Sequence, residues 1–365
     1  AQRRIGEKMT ILDDINGMKG VDKSNMFDLI VNFPEQCVKA YSIGADFHVP
    51  QSYVGAGYKN IVFSGLGGSA IGADLMRSYL IDDIKIPIYV SRDYTLPRFV
   101  GKDTLFLACS YSGDTEETLS SYAEAKEKGA RIIVISSGGK LEVLAKEDKI
   151  PVIYIPKGHP PRTALGYSFF SWLDVFYKIG FISDRGKDAE EAIADMKDLM
   201  DRAIGPGVPA DRNEAKKIAG QICGKYVIIY GANKHLDSVT LRWRGQIEEN
   251  AKTLASTHVF PELNHNETVG WEGPKALLKD FAVVLLRDES EHPRVTKRIE
   301  ITGAMIGKDS KVIEVRSKGR NLLSRMFSLI YTGDFVSYYL ALLNGIDPTP
   351  VERIASLKKE LSKLR

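Results

Sequence analysis

The sequence predicts an α/β protein made of two successive parallel-sheet units. Three observations predict it. Short, continuously apolar runs alternate with stretches of helical periodicity, the pattern of strands buried on both faces by helices. The alternation breaks at GPGVPADRN (205–213) and then restarts. Both blocks open alike, with a strand that ends at glycine and passes into a helix, in IVFSGLGGSAIGADL (61–75) and in KYVIIYGANK (225–234). Length agrees, since 365 residues at roughly 150 per domain is about two domains.

The elements follow in order. Residues 1–55 read as helices and loops, with apolar residues three to four apart, interrupted by Gly20 and Pro34. From Lys59 the texture changes. KNIVFSG (59–65), IKIPIYV (84–90), TLFLACS (104–110), ARIIVIS (130–136) and IPVIYIP (150–156) are five apolar runs, and the stretches after the first, third and fourth look helical. Residues 164–204 look mostly helical. The Gly- and Pro-rich 205–213 is the linker candidate, dividing the chain into 1–204, with its helical N-terminal segment, and 205–365. After it come strand 225–234, helix 237–252, and strands within 256–263, 281–288 and 310–317. Two terminal helices, over 320–345 and 350–364, close the chain.

Composition excludes several classes. Hydrophobic residues are 44% and charged residues 27%, ordinary for a globular chain and wrong for a disordered one. Three scattered cysteines, Cys37, Cys109 and Cys223, make neither a disulfide framework nor a Cys-based zinc site. The six histidines are dispersed, with no HxxxH or HxH spacing. The net charge of +3 gives no reason to expect nucleic acid or a membrane surface. No apolar run approaches the ~18 residues of a membrane span. AQRRIGEKMTILDDING (1–17) lacks the apolar core of a signal peptide, so a soluble cytoplasmic protein is expected.

Two loops carry the first chemical signal. The first holds Gly65, Gly67, Gly68, Ser69 and Gly72. Glycines let backbone amides approach a ligand, and a helix N-terminus presents free N–H groups to an anion. Gly65-x-Gly67-x-x-Ala70 also fits a relaxed dinucleotide fingerprint, and Arg92 or Asp93 could follow the next strand, so a nicotinamide enzyme stays open on spacing alone. The second loop, SYSGDTEET (110–118), places Ser110, Ser112 and Thr115 where a strand passes into a helix. Three hydroxyls within six residues suit a phosphate monoester held by neutral donors and a helix dipole. The plainer alternative is helix capping by Ser112 or Asp114, which needs one such residue rather than three hydroxyls. The turn SSGGK (136–140) reads as structural.

Four segments in order, SGLGGSAIGADL (64–75), SYSGDTEET (110–118), PRTALGYS (161–168) and ELNHNE (262–267), together resemble the bifunctional phosphoglucose/phosphomannose isomerases. These are members of the sugar isomerase (SIS) domain superfamily, and the resemblance spans nearly the whole chain. It implies two SIS-type three-layer α/β/α sandwiches, each around a parallel sheet of about five strands. It also implies interconversion of glucose 6-phosphate and mannose 6-phosphate with fructose 6-phosphate through a cis-enediol(ate), a step of glycolysis and gluconeogenesis, with no cofactor and no metal.

Matched residue by residue, the resemblance places a phosphate clamp at Ser69, Ser110, Ser112 and Thr115 with the amides of Gly67 and Gly68. For the base, the residues alone leave Glu248 and Glu249 open. Adjacent acids point about 100° apart on a helix, so only one is expected in a given site. Glu249 lies opposite the apolar stripe of Val239, Trp243, Ile247, Ala251 and Leu254, which by itself reads as a solvated acid. The resemblance selects Glu249, because the family's base precedes its ring-opening histidine by sixteen residues, the separation of Glu249 from His265. It implies that His265 opens the sugar ring and reaches the partner subunit's site in a homodimer. It further implies that Arg162 stabilises the enediolate, that Thr349 admits the mannose epimer, and that Lys358 of the last helix lies near the reactive end. Two alternatives within the superfamily remain. One is a non-catalytic sugar-phosphate sensor, although no basic recognition helix stands out in 1–55. The other is a glucosamine-6-phosphate synthase-like isomerase, which would need an N-terminal cysteine nucleophile where this sequence reads AQRR.

Overall fold

The computed structural model describes residues 9–363. Its first sheet holds β1 (Asn60–Ser64), β2 (Ile88–Ser91), β3 (Thr104–Ser110), β4 (Arg131–Ser136) and β5 (Val152–Tyr154), in the order β2-β1-β3-β4-β5. The second holds β6 (Tyr226–Ala232), β7 (Ala255–Phe260), β8 (Phe281–Arg287) and β9 (Lys311–Arg316), in the order β7-β6-β8-β9. Every pairing is parallel. The second sheet therefore has four strands, not about five. Two expected strands are shorter than their apolar runs. Pro87, which has no N–H to give a ladder, precedes β2, and β5 keeps only the three residues that reach β4.

The strands are apolar along their length because both faces are covered. Ile61 and Phe63 of β1 face a core that also contains Val227 and Ile229 of β6, whereas Val62 faces a separate outer cluster with Phe106 and Tyr122. In the second sheet Ile228 and Tyr230 face their own outer cluster with Ile299 and Ile306. The inner faces of the two sheets thus share one continuous core. The helices that fill it are α1 (Phe33–Asp46), α2 (Gly68–Tyr79), α3 (Leu165–Ile179), α4 (Asn233–Ala251) and α5 (Leu322–Leu343).

Helix α5 is the centre of the molecule. Asn321 caps its N-terminus by accepting from the Ser324 N–H, and residues 326–343 are buried without exception. By length and composition it is apolar enough to cross a membrane, yet its apolar stretch is buried inside the protein. Asp334 and the interspersed Ser, Thr, Tyr and Gly residues break its apolar run, so counting uninterrupted runs passes over it. An all-round apolar helix is what a shared core demands.

The 205–213 segment is pinned in place. Asn213 caps helix Glu214–Ile222 and donates to the Gly205 carbonyl at 2.8 Å. The buried Lys216 ammonium donates to Val208 O at 2.8 Å and to Asp13 at 3.0 Å. The last helix, α6 (Glu352–Leu361), is the opposite case: none of its residues is buried.

Candidate active site

In the first sheet the chain leaves β1 for β2 on one side and reaches β3 on the other. Open parallel sheets bind ligands at such a reversal, outside the carboxyl ends of the strands. The two loops singled out by sequence lie there. Gly67 has φ +50°, and the chain then enters α2 at Gly68. Ser69 Oγ accepts from the Tyr111 N–H at 3.2 Å and so ties the loops together. Ser110 is buried, with its Oγ 2.9 Å from Thr115 Oγ1 and accepting from the Gly113 N–H at 3.0 Å. Ser112 is exposed and accepts from the Asp114 N–H at 3.3 Å. Gly113 has φ +76°, and a Cβ there would stand 1.7 Å from the Gly138 carbonyl oxygen. That packing explains the SSGGK turn as the support of the hydroxyl loop.

Gly68 makes the second junction. A Cβ at this position would lie 2.3 Å from Pro161 O and 2.8 Å from Arg162 N. Only glycine lets the 161–162 backbone rest against the helix start, and this contact brings Arg162 to the loop. The Arg162 side chain is 3% exposed. Its Nε donates to Asn250 Oδ1 at 2.7 Å, and Nη2 donates to Pro348 O and Thr349 O, each at 2.9 Å. Nη1 donates to Glu249 Oε2 at 3.4 Å. Burial lowers the Arg162 pKa and the Glu249 charge opposes that shift; a guanidinium stays charged regardless. The Thr349 hydroxyl is buried and finds no hydrogen-bond partner among the described residues.

Helix α4 ends just beyond Glu249, at Lys252, which has left-handed backbone (φ +52°). Its ammonium donates to Glu249 O and Pro348 O, both at 2.7 Å. Burial, then the nearby Arg162 charge, push the Lys252 pKa down to about 8. Lys252 therefore ties the helix end to the 346–350 loop from one side while Arg162 does so from the other.

Arg162 and Glu249 border a cleft of about 620 Å³ between the two units. Gly67, Gly68, Arg162, Gln246, Glu248 and Glu249 line it. Both adjacent acids reach the cleft, against the expectation of one, because the cleft runs along the flank of α4 and is wide enough for both. They differ in surroundings: Glu249 contacts Arg162, whereas Glu248 lies 3.7 Å from Arg244 and burial raises its pKa. In the same cleft the ion pair Arg77–Asp237 joins α2 to α4, and Arg92 pairs with the buried Asp74 of α2. Arg92 thus has a structural partner, and Asp93 is exposed. The structure brings Gly67, Gly68, Arg162, Glu249 and Thr349 together, with Ser69, Ser110, Ser112 and Thr115 at the adjoining loops. It does not bring His265 or Lys358 to this cleft; both are exposed. Among the described residues, no group of three or more His, Cys, Asp or Glu side chains could hold a metal ion.

Comparison with known proteins gives a family. Residues 56–165 match the SIS domain, and residues 211–361 match the bacterial phospho-glucose isomerase C-terminal SIS domain. A bifunctional phosphoglucose/phosphomannose isomerase of Caldicellulosiruptor bescii is 47% identical over 341 residues, covering 93% of this chain and 100% of the relative. The chain belongs to the bifunctional phosphoglucose/phosphomannose isomerase family. A second member, from Aquifex aeolicus, is 36% identical, covering 84% of this chain and 91% of its own. The crystal structure of a hypothetical protein from Thermus thermophilus has the same fold, with TM-score 0.74 at 16% identity, covering 98% of this chain and 94% of its own.

In this bifunctional isomerase family member the second sheet repeats the topology of the first but not its crevice. Strand β6 runs directly into α4, with Ala232 as an N-cap that supplies no side-chain bond. Where β8 ends, on the side of β9, lies a largely buried ion network. Arg287 pairs with Glu291 at 2.9 Å and Glu314 at 3.1 Å, and Asp288 accepts from Arg325 at 2.9 Å and from Ser317 at 2.7 Å.

Several residues at the site were not singled out from sequence. Arg242, Gln246 and Asn250 stand four apart on α4, a polar stripe beside the apolar one. Arg242 Nη1 donates to Arg162 O at 2.7 Å, and its Nη2 donates to the buried Asp334 at 2.9 Å. That four-residue spacing was the available signal: polar residues flanking a fully apolar stripe are buried when the helix is covered on more than one side.

Proposed function

We propose that this chain interconverts glucose 6-phosphate and mannose 6-phosphate with fructose 6-phosphate through a cis-enediol(ate). The single observation that carries the reading is the contact of Arg162 Nη1 with Glu249 Oε2 at 3.4 Å in the cleft that Gly67 and Gly68 also line. An acid able to move a proton and a cation able to hold the resulting oxyanion lie side by side, one loop away from a phosphate cradle. Family membership supports the substrate pair.

In this reading Ser69, Ser110, Ser112 and Thr115, with the amides of Gly67 and Gly68, grip the phosphate. Opening two hydroxyl partners, Ser110 and Thr115, toward the ligand replaces their mutual bond. Glu249 takes the proton from carbon 2 or carbon 1 and returns it to the neighbour. Arg162 favours the charged intermediate over the ground state, which is the differential effect that catalysis needs. Thr349, with a buried hydroxyl free to bond, leaves room for the second epimer. The division at 204/205 gives each unit part of the site and neither the whole.

Ring opening falls to His265 of the partner subunit in a homodimer. Three observations support this. The turn Glu262–His265 and the residues after it are braced: Tyr230 donates to Glu267, Trp271 Nε1 donates to Tyr230 Oη at 3.1 Å, and Asn264 Nδ2 donates to Thr302 at 2.9 Å. His265 itself is exposed at the end of this braced turn. Helix α6 exposes Ile354, Leu357 and Leu361 along one side, and ten residues of helix are marginal without packing. A second subunit would cover them and carry Lys358 toward a site.

The test is a coupled assay on both aldose phosphates, with and without chelator. Turnover of both, indifferent to chelator, is expected; turnover of neither ends the reading. Mixed dimers of Glu249→Gln and His265→Ala subunits should regain part of the lost activity, and no regain removes the shared site while leaving the isomerase.

A further inference from the structure

The Arg162 guanidinium has five N–H groups, and the structure accounts for four of them. Asn250 takes Nε–H, the Pro348 and Thr349 carbonyls take both hydrogens of Nη2, and Glu249 takes one hydrogen of Nη1. The remaining N–H is on Nη1, beside Glu249 and the cleft. The fork is therefore held on two edges and works with the third.

What holds it can be traced further in. Ser337 Oγ donates to Asp334 O at 2.8 Å, so it must accept from Asn250 Nδ2, which lies at 3.0 Å. That fixes the Asn250 amide with its oxygen toward Nε–H; a flipped amide would oppose donor to donor. The Arg162 main chain is held in parallel. Arg242 Nη1 donates to Arg162 O at 2.7 Å while its Nε and Nη2 fork the Asp334 carboxylate at 3.2 and 2.9 Å. Gln246 Nε2 donates to the same carboxylate at 2.9 Å. Asp334, Ser337, Arg242 and Asn250 are all buried, so none of these bonds competes with bulk water.

We propose that Asn250, anchored by Ser337, and Arg242, anchored by Asp334, are positioning residues that aim Arg162 Nη1 at the reacting carbons. The inference rests on the role given to Arg162 above. Asn250 does not line the cleft, and Arg242, which does, spends Nη1 on the Arg162 carbonyl and Nε and Nη2 on Asp334. They act by holding backbone and guanidinium of one residue in register with the acid at 249.

The experiment is a double-mutant cycle read in kcat and KM. Arg162→Lys alone tests the underlying role: a loss of kcat of about 100-fold or more is expected from the electrostatic stabilisation of a developing oxyanion, and retained kcat ends that role without bearing on Asn250. Asn250→Leu should lower kcat by about 10- to 100-fold with KM within about threefold, the size of effect expected from sub-ångström to 1 Å misplacement. In the Arg162→Lys background the same substitution should cost less than about threefold, because the group it aims is gone. Equal losses in both backgrounds, or a raised KM with kcat intact, would overturn the proposal. Should Asn250→Leu fail to fold, Ser337→Ala asks the same question one bond further away. A kcat loss of several-fold, absent in the Arg162→Lys background, is expected; no loss, or the same loss in both, overturns it.

Discussion

At the scale of single residues, two positions decide whether the site assembles. Gly68 is one, because a methyl group there would overlap the Pro161 carbonyl at 2.3 Å. Gly68→Ala must push the 161–162 backbone away, costing about 1–3 kcal/mol of stability by overpacking. Activity should fall much further, by about tenfold or more, since Arg162 moves with that backbone. Comparing melting curves with kcat checks both. Lys252 is the other. Burial holds its pKa near about 8 in the folded chain, below the ordinary lysine value of 10.5. Between those values the unfolded chain binds more protons, so this residue's contribution to stability rises with pH across that window. Lys252→Met should remove that rise. The measurement is the difference in melting temperature between wild type and variant, which should move in favour of the wild type from about pH 8 to 10. The effect is small because the side chain is partly solvated. Glycine and hydroxyl loops were legible in sequence, since their chemistry is local. The bonds of Arg162 were not: its partners Asn250, Pro348 and Thr349 are 88 to 187 residues away, and nothing in the PPRT segment indicates which carbonyls will meet it.

At the scale of elements, the seam between α4 and α5 carries the most weight. Helix α4 buries two neighbouring stripes, apolar through Val239, Trp243 and Ile247 and polar through Arg242, Gln246 and Asn250. Trp243 joins the stripes to α5, with its indole N–H donating to Leu329 O at 2.9 Å. The Arg242–Asp334 pair is 4% and 6% exposed. Burial pushes the Asp334 carboxyl up and the Arg242 fork pulls it back. Asp334→Ala leaves a guanidinium buried without its counterion, an expected loss of about 3–5 kcal/mol in urea unfolding. Replacing both, as Arg242→Met with Asp334→Leu, should recover most of that stability but not activity, because the Arg162 carbonyl still lacks its donor. Recovery of both would show that the pair serves packing alone. The far end of α4 read well from sequence, but its start did not: the helix begins at Asn233, four residues before the expected 237, because β6 passes into it without an intervening loop. Helix α5 was legible as a helix but not as the molecular centre: that follows from its position between two sheets, and periodicity within one segment carries no information about what covers its far side.

At the scale of the whole molecule, the repeated strand–loop–helix opening of the two blocks was the clearest sequence signal, and it gave the two-sheet architecture. It left two things unstated. One is that the inner faces of both sheets share a single core through α5, so the units are one packed body around the cleft. The other is that the repeat is one of topology and not of site. In the first sheet the reversal point is bordered by glycine, amides and hydroxyls. In the second, β6 runs straight into α4, and Arg287, Asp288, Glu291 and Arg325 pair with one another at the carboxyl end of β8, on the side of β9. A phosphate dianion entering there would meet the Asp288 carboxylate and would have to break apart pairs already satisfied in a dry environment. Calorimetric titration with fructose 6-phosphate should therefore give about one ligand per chain, and about two would refute it. At the end of β8, Asp288 and Arg325 amount to a built-in occupant. One half of the duplicated scaffold carries its own permanent guest and has become a wall, which leaves the other half free to bind, release and turn over a transient one.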